Sequence, residues 1–406
     1  MPKRLLFVDD DAMVLDGLRR SLHNMRHDWE MHFVDSAAAA LAILGNQPFD
    51  AVVSDMRMPV KDGAQLLEEV KELYPDVVRM ILSGQSSREA VYRSIAPAHQ
   101  FLSKPCDPQE LAARLTQAFL MRDLLSNQAI KTVISNLRSI PSLPALYDEL
   151  TDALHSETPS LSQIAKIISK DVGMAAKILQ LANSAFVGTS GRVSSLAQAL
   201  SLIGTETVRT LALSIHVFSQ FEGNAQIKLS LPALWEHSMA VSGLAQRIAG
   251  AERRTRALIE ESFAAGLLHD VGKVVLLAEL PRQYQQVFEG DPACGSERER
   301  EQLGCTHSEI GGYLMSIWGI PMPLVRAVAF HHHPSEAGES AFSALTAVHA
   351  ADAIASATDA HAVNRDIALD LNYLDQLGLR NRESVWRDLH AESAPAVPGQ
   401  AQSAQV

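Results

Sequence analysis

A five-stranded parallel, doubly wound α/β domain followed by an all-helical domain is the fold class this sequence predicts, and three observations carry the prediction. At 406 residues the chain exceeds one ordinary domain. From Lys3 to about Met121, short apolar or β-branched runs alternate with amphipathic helical patterns, as in a parallel sheet covered by helices. Beyond Pro108 only helical periodicity remains, punctuated by Gly and Pro.

The strands are expected at Arg4 to Val8, Glu30 to Val34, Ala51 to Ser54, Val78 to Ser83 and Gln100 to Ser103. Ser36, ahead of an alanine-rich run, is the clearest helix cap. Glu110 to Leu137 keeps apolar residues at three- and four-residue spacing without Gly or Pro, which predicts one long connecting helix. Its surplus length suits either pairing with a second copy or a solvated spacer. The domains are therefore expected at 1–121, a connecting helix at 122–139 and a helical domain at 140–380. Residues 391–406, rich in Ala, Pro, Gln and Ser, read as a disordered tail. Gly290 to Gly304 reads as a surface loop followed by a solvated helix, and Asn183 and Trp235 as helix-packing residues with one satisfied polar group, partner recognition being the alternative.

Composition excludes several classes. With 47% hydrophobic and 20% charged residues the chain is ordinary globular material. No apolar run reaches the roughly 18 residues of a membrane span. The apolar stretch Leu5 to Val8 runs straight into aspartates, unlike a signal peptide, so the chain is expected to start near Met1 and to stay in the cytoplasm. Cys106, Cys294 and Cys305 are scattered and read as free thiols. A formal charge of −12 opposes binding to DNA.

The chemistry begins at the strand ends. Strand 1 runs into Asp9, Asp10 and Asp11, and strand 3 into Asp55, so carboxylates meet at the edge where open α/β sheets place ligands. Carboxylates gathered this way repel one another unless a cation joins them, and Mg²⁺ suits oxygen ligands beside a phosphate. Strand 4 ends in the hydroxyl of Ser83, and strand 5 in Ser103-Lys104-Pro105, whose last bond suits a cis peptide. A carboxylate nucleophile, a cation, a lysine and a hydroxyl together offset charge on a moving phosphoryl group. With these motifs the first 120 or so residues resemble the response-regulator receiver family, with its flavodoxin-like fold. The resemblance implies Asp9 and Asp10 as the acidic metal pair, Asp55 as phosphoacceptor and metal ligand, and the Arg57 carbonyl as a further ligand. It also implies Ser83 and Lys104 as phosphoryl contacts and Phe101 as the aromatic switch. Met58-Pro59 and Asp62-Gly63 match the family's loop after the acceptor, and Gly84 departs from its usual alanine.

The C-terminal half spaces out His237, His269-Asp270, His307, His331-His332 and Asp352. Imidazoles with a bridging carboxylate suit iron, manganese or zinc, and Lys273, one turn past Asp270, suits a phosphate. Two plainer readings stand beside this one. Thr306 to Glu309 has capping-box spacing, which puts His307 in a helix's first turn, and His331 to His333 suit a helix C-terminus. The order of the residues resembles the HD phosphohydrolases. After His331-His332-His333, however, the chain runs Pro-Ser-Glu-Ala-Gly-Glu-Ser, without the Gly-Tyr-Pro loop of the cyclic-dinucleotide branch.

The HDOD output-domain family is a closer resemblance over about Ile140 to Ala357. It rests on Ser142-Leu-Pro-Ala-Leu, Asp171 to Leu179, Leu181 to Gly188, Val193 to Leu200, Leu202-Ile-Gly, Leu234-Trp-Glu-His-Ser and the His269 segment. Together the two resemblances imply a signalling switch: a sensor histidine kinase phosphorylates Asp55, and the HDOD module acts on a downstream protein. The alternatives are a phosphorylation-gated, metal-dependent phosphohydrolase and a nucleotide-binding sensor without catalysis.

Overall fold

The computed structural model describes residues 2–83, 98–125, 127–137, 149–150, 152–153, 160–183, 193–204, 208, 225–287, 295–358 and 368–392. Gly84, the 142–146 segment, Phe186, Cys294, the tail from 393 and the Ser83 side chain lie outside this description.

Five strands, β1 (Lys3–Val8), β2 (Trp29–Val34), β3 (Ala51–Asp55), β4 (Val78–Ser83) and β5 (Gln100–Ser103), form one parallel sheet in the order β2-β1-β3-β4-β5. Helices α1 (Ala12–Ser21), α2 (Ala37–Leu44), α3 (Gly63–Leu73) and α4 (Pro108–Leu124) cover it. Their starts are capped by Asp11, Ser36, Asp62 and Asp107, whose side chains accept from backbone N–H groups of the first turn. Alternation along the strands divides the sheet into two faces. Leu6, Val52 and Ile81 pack with Ala40, Leu67 and Val70 of α2 and α3. Leu5, Val53, Met80 and Leu102 pack with Leu15, Leu115 and Phe119 of α1 and α4, and this core continues into the helical domain.

The long connecting helix is corrected. After α4 the chain turns extended at Leu125, and a separate helix, α5 (Gln128–Asn136), follows. Asn127 stabilises the break, its Nδ2 donating to the Leu303 carbonyl at 2.7 Å while its Oδ1 accepts from the Ile130 amide. The break turns Leu125, Ile130 and Ile134 inward, where all three are buried. This part of the apolar stripe is thus covered within the chain, because burying it against the helical domain removes it from water, while Leu120 and Leu124 of the same stripe stay exposed.

The helical domain contains α6 (Leu161–Ile168), α7 (Val172–Ala182), α8 (Leu196–Ile203), α9 (Ala225–Ala251), α10 (Arg256–Leu268), α11 (Val271–Glu279), α12 (Pro281–Val287), α13 (Gly295–Leu303), α14 (His307–Ile317), α15 (Met322–Phe330), α16 (Ala344–Thr358), α17 (Leu371–Gln376) and α18 (Glu383–Ala391). Asn183 is buried, donating to the carbonyls of Leu179 and Val193 and accepting from the Val193 amide, as expected of a packing residue. Trp235 is buried as well, but its indole N–H has no partner among the described residues. The solvated helix expected before Gly304 is a second correction. In α13, Gly295, Glu299 and Leu303 recur every fourth residue and are buried, because Tyr284 and His307 offer Glu299 its hydrogen bonds. No described helix is long and apolar enough to cross a membrane.

The α/β domain sits on α14. Gln100 of β5 donates to the Ser316 carbonyl at 3.0 Å and Gln117 of α4 to the Ile320 carbonyl at 2.9 Å. Ser135 of α5 meets Tyr313 through their hydroxyls at 3.1 Å. Gly319, at φ +71, lets the chain turn beneath Gln100 and Arg114, where a Cβ would lie 2.8 Å from the Arg114 guanidinium.

Candidate functional site

Parallel pairing places the carboxyl ends of β1, β3 and β5 on one edge of the sheet, so Asp9, Asp55 and Lys104 converge although far apart in sequence. Asp9 and Asp55 are buried and Asp10 is exposed. Lys104 Nζ donates to Asp9 Oδ2 at 2.6 Å and to Asp55 Oδ1, and the Arg57 amide donates to Asp55 Oδ2 at 2.5 Å. Burial pushes the Asp9 carboxyl above its usual value against the pull of Lys104. Burial works against the Lys104 charge, yet hydrogen bonds to Asp55 and Asp9 hold its pKa above the ordinary value. The Lys104–Pro105 bond is cis. Gly63 lies against the Asp55 backbone, where a Cβ would come 2.1 Å from the Asp55 carbonyl oxygen, so only glycine lets α3 start this close to Asp55. Phe101 is turned inward and packed with the α2/α3 core.

The second cluster is assembled from five places in the helical domain. His237 comes from α9, His269 and Asp270 from the junction of α10 and α11, His307 from the first turn of α14, His331 and His332 from the end of α15, and Asp352 from α16. All seven predicted residues come together. His307 Nε2 lies 3.2 Å from Asp270 Oδ1 and 3.0 Å from His332 Nε2, and His237 Nε2 lies 3.1 Å from Asp352 Oδ1. Three overlapping sets have ligand atoms within 4.8 Å of one another: His237, His269 and Asp352; His269, Asp270 and His331; and His307, His331 and His332. Both plainer readings hold as well, since Thr306 and Glu309 form a capping box and His331 caps α15. They place the rings without consuming their inward nitrogens.

Ring orientation decides what the cluster can bind. His269 Nδ1 donates to the Gly266 carbonyl at 2.7 Å and His331 Nδ1 to the Val328 carbonyl at 2.8 Å, leaving each Nε2 a lone pair aimed inward. Burial holds His269 below its usual pKa and His331 down at about 3, so both rings are neutral. Burial also opposes the charge of Asp270 and Asp352. Neighbouring Lys273 and His307 for the first, and the hydrogen bond to His237 for the second, nevertheless hold both carboxyls well below the usual range. Four of the inward atoms, His269 Nε2, His331 Nε2, Asp270 Oδ1 and Asp352 Oδ2, are buried without a hydrogen-bond partner. Leaving four acceptors bare costs about 1–3 kcal/mol each, and a cation removes that cost. The donor set of imidazoles and carboxylates fits iron, manganese or zinc. Lys273, expected to face a phosphate, donates to Asp270 Oδ2 at 2.6 Å, with its side chain 10% exposed at the cluster's rim beside His237 at 14%.

Comparison with known proteins follows this division. A model described as response regulator receiver domain matches residues 5–116, and one described as HDOD domain matches residues 140–334. The chain joins a response regulator receiver domain to an HDOD domain. An uncharacterized protein of Treponema pallidum is 25% identical over 268 residues, 65% of this chain and 49% of that protein. The hydrogenase transcriptional regulatory protein HoxA of Bradyrhizobium diazoefficiens is 36% identical over 116 residues, 28% of this chain and 23% of that protein. The chain thus spans about half or less of these curated relatives. Among solved structures, the MmoQ response regulator of Methylococcus capsulatus is 24% identical with a TM-score of 0.47, covering 61% of this chain and 98% of that one.

Sequence reasoning missed one residue of the HDOD cluster's surroundings. Glu299 is 1% exposed and receives both the backbone N–H and the ring Nδ1–H of His307, at 2.8 and 2.7 Å. Burial lowers the tendency of His307 to protonate, but the Glu299 carboxylate and Asp270 raise its pKa to about 9. The glutamate-rich stretch GSEREREQL reads as a solvated face, and only its four-residue spacing of Gly295, Glu299 and Leu303 signals an inward stripe.

Proposed function

We propose that this response regulator is a phosphorylation-controlled switch, with Asp55 accepting a phosphoryl group from a sensor histidine kinase and the HDOD domain carrying the output to a downstream signalling protein. The observation that carries the input half is the convergence of Asp9, Asp55 and Lys104 at one strand edge, with Lys104 bonded to both carboxylates. An Asp55 carboxylate oxygen attacks the phosphorus of the donor phosphohistidine. The P–O bond forms as the P–N bond breaks, and the departing imidazole nitrogen keeps the electron pair and takes up a proton. Asp9, Asp10, Asp55 and the Arg57 carbonyl are the residues to hold Mg²⁺, which when bound neutralises phosphoryl oxygens. Lys104 carries three donors and turns one of them to the new phosphoryl group, while the Ser83 hydroxyl is placed by sequence at the adjoining strand end.

The added charge of about −1.5 to −2 alters the edge beside Phe101, and Gln100, its neighbour on β5, is hydrogen-bonded to α14 of the HDOD domain. A route from acceptor to output therefore runs through one strand. The test of the input reading is phosphoryl uptake from acetyl phosphate with Mg²⁺. The wild type is expected to be labelled and Asp55→Asn is not; labelling of the variant at the normal rate overturns the assignment.

A second reading of the output, a metal-dependent phosphohydrolase, is favoured by the four inward-facing atoms without partners. His237, His269, Asp270, His307, His331, His332 and Asp352 would hold the metal, whose chemistry is activation of water toward a phosphoester. Less than about a tenth of an equivalent of iron, manganese or zinc after metal-supplemented expression refutes the metal, taking one ion per site as the expectation.

A further inference from the structure

We propose that Glu299, held by Tyr284, is a positioning residue for His307 that sets the affinity of the His/Asp cluster for its metal; the proposal rests on the reading of that cluster as a metal site. Glu299 Oε2 receives the His307 backbone N–H at 2.8 Å and its ring Nδ1–H at 2.7 Å, and Oε1 receives the Tyr284 hydroxyl at 3.1 Å. All three residues are buried, at 1%, 0% and 2% exposure.

One carboxylate thus does two things at once. It satisfies a backbone donor in the first turn of α14, which has no partner within its helix. It also fixes the ring of the same residue, holding a proton on Nδ1 and turning Nε2 toward Asp270 and His332. His269 and His331 are oriented differently, by carbonyls three residues earlier in the chain. For His307 the orienting group is an anion delivered from another helix, α13, and an anionic partner makes the imidazole a stronger donor to a cation. Tyr284, from α12, occupies the other carboxylate oxygen and keeps Glu299 from rotating away. The α12 and α13 segment, outside the seven-residue cluster, thereby becomes part of what the cluster can bind.

The test loads full-length protein with Co²⁺ and follows both its affinity, by competition with a chelator, and its visible ligand-field bands. Glu299→Gln is expected to lose about 10–100-fold in affinity and to shift the bands. Tyr284→Phe, which removes only a hydroxyl, is expected to show a smaller loss. If Glu299 acts through His307, Glu299→Gln adds nothing in a His307→Ala background. Wild-type affinity and bands in Glu299→Gln, or the same further loss in the His307→Ala background, overturn the proposal. Should Glu299→Gln fail to fold by circular dichroism, wild-type affinity in Tyr284→Phe overturns it instead. Absence of cobalt uptake by the wild type overturns the metal reading itself, and the proposal with it.

Discussion

Gly272 is where the geometry makes its most demanding quantitative claim. It lies in the first turn of α11, two residues past Asp270, and a Cβ there would come 1.9 Å from the His307 carbonyl oxygen, 2.7 Å from the His307 carbonyl carbon and 3.0 Å from the Gly311 amide. All three are backbone atoms, so no side chain can swing aside. Restoring an ordinary carbon–oxygen contact requires α11 and α14 to separate by about 1.5 Å. Gly272→Ala gains about 0.4–1 kcal/mol by restricting the unfolded chain. Overpacking costs about 1–3 kcal/mol, and a backbone clash belongs at the upper end. A net loss of about 2 kcal/mol follows, or roughly 4–8 °C in Tm for a domain of this size. Because the same displacement carries His307 away from Asp270, cobalt affinity is expected to fall together with Tm. Thermal melting by circular dichroism and cobalt titration of the full chain read both effects. A variant that melts at or above the wild-type temperature and binds cobalt equally well refutes the close approach of the two helices.

Two further outcomes follow from buried groups elsewhere. Lys177 in α7 is 2% exposed above the Trp318 ring, and burial lowers its pKa to about 8. The unfolded chain therefore binds more protons than the folded one between about pH 8 and the ordinary lysine value, and stability rises with pH across that window. At about 1.4 kcal/mol per pH unit the contribution reaches up to about 3 kcal/mol. Lys177→Met is expected to lose that rise, so urea unfolding at two pH values with an unchanging difference between the proteins would sink the assignment. Gln100→Ala combined with Gln117→Ala removes both hydrogen bonds from the receiver to α14 and the turn after it, worth about 1 kcal/mol each. Calorimetry is expected to show the receiver and HDOD transitions moving apart, whereas one unchanged transition would mean that these contacts do not couple the domains.

The receiver was legible because its information is local. Each strand is a run of four to six residues, and each functional group sits at the end of such a run, so the spacing from Val8 to Asp9 or from Ser103 to Lys104 already implies the edge on which they meet. The helix break at Leu125 was not legible. Helical periodicity runs through it unbroken, and what stops the helix is Asn127 reaching the Leu303 carbonyl, a contact spanning 176 residues. Glu299 was hidden for a related reason, since a glutamate among arginines and glutamates has no local mark of burial; its partners, Tyr284 and His307, stand on two other helices.

By itself, the sequence determined the order of strands and helices in the α/β domain, the carboxylate-lined strand edge and the identity of the His and Asp residues of the second cluster, because period, capping and motif spacing act over a few residues at a time. Only the tertiary structure decided that the connecting segment folds back as two helices, and that seven His and Asp residues from α9 to α16 leave four buried acceptors facing one another. It also decided that α14 reaches from the receiver's Gln100 at one end to His307 at the other. Those outcomes depend on which surfaces exclude water together, and that is a property of the packed chain as a whole.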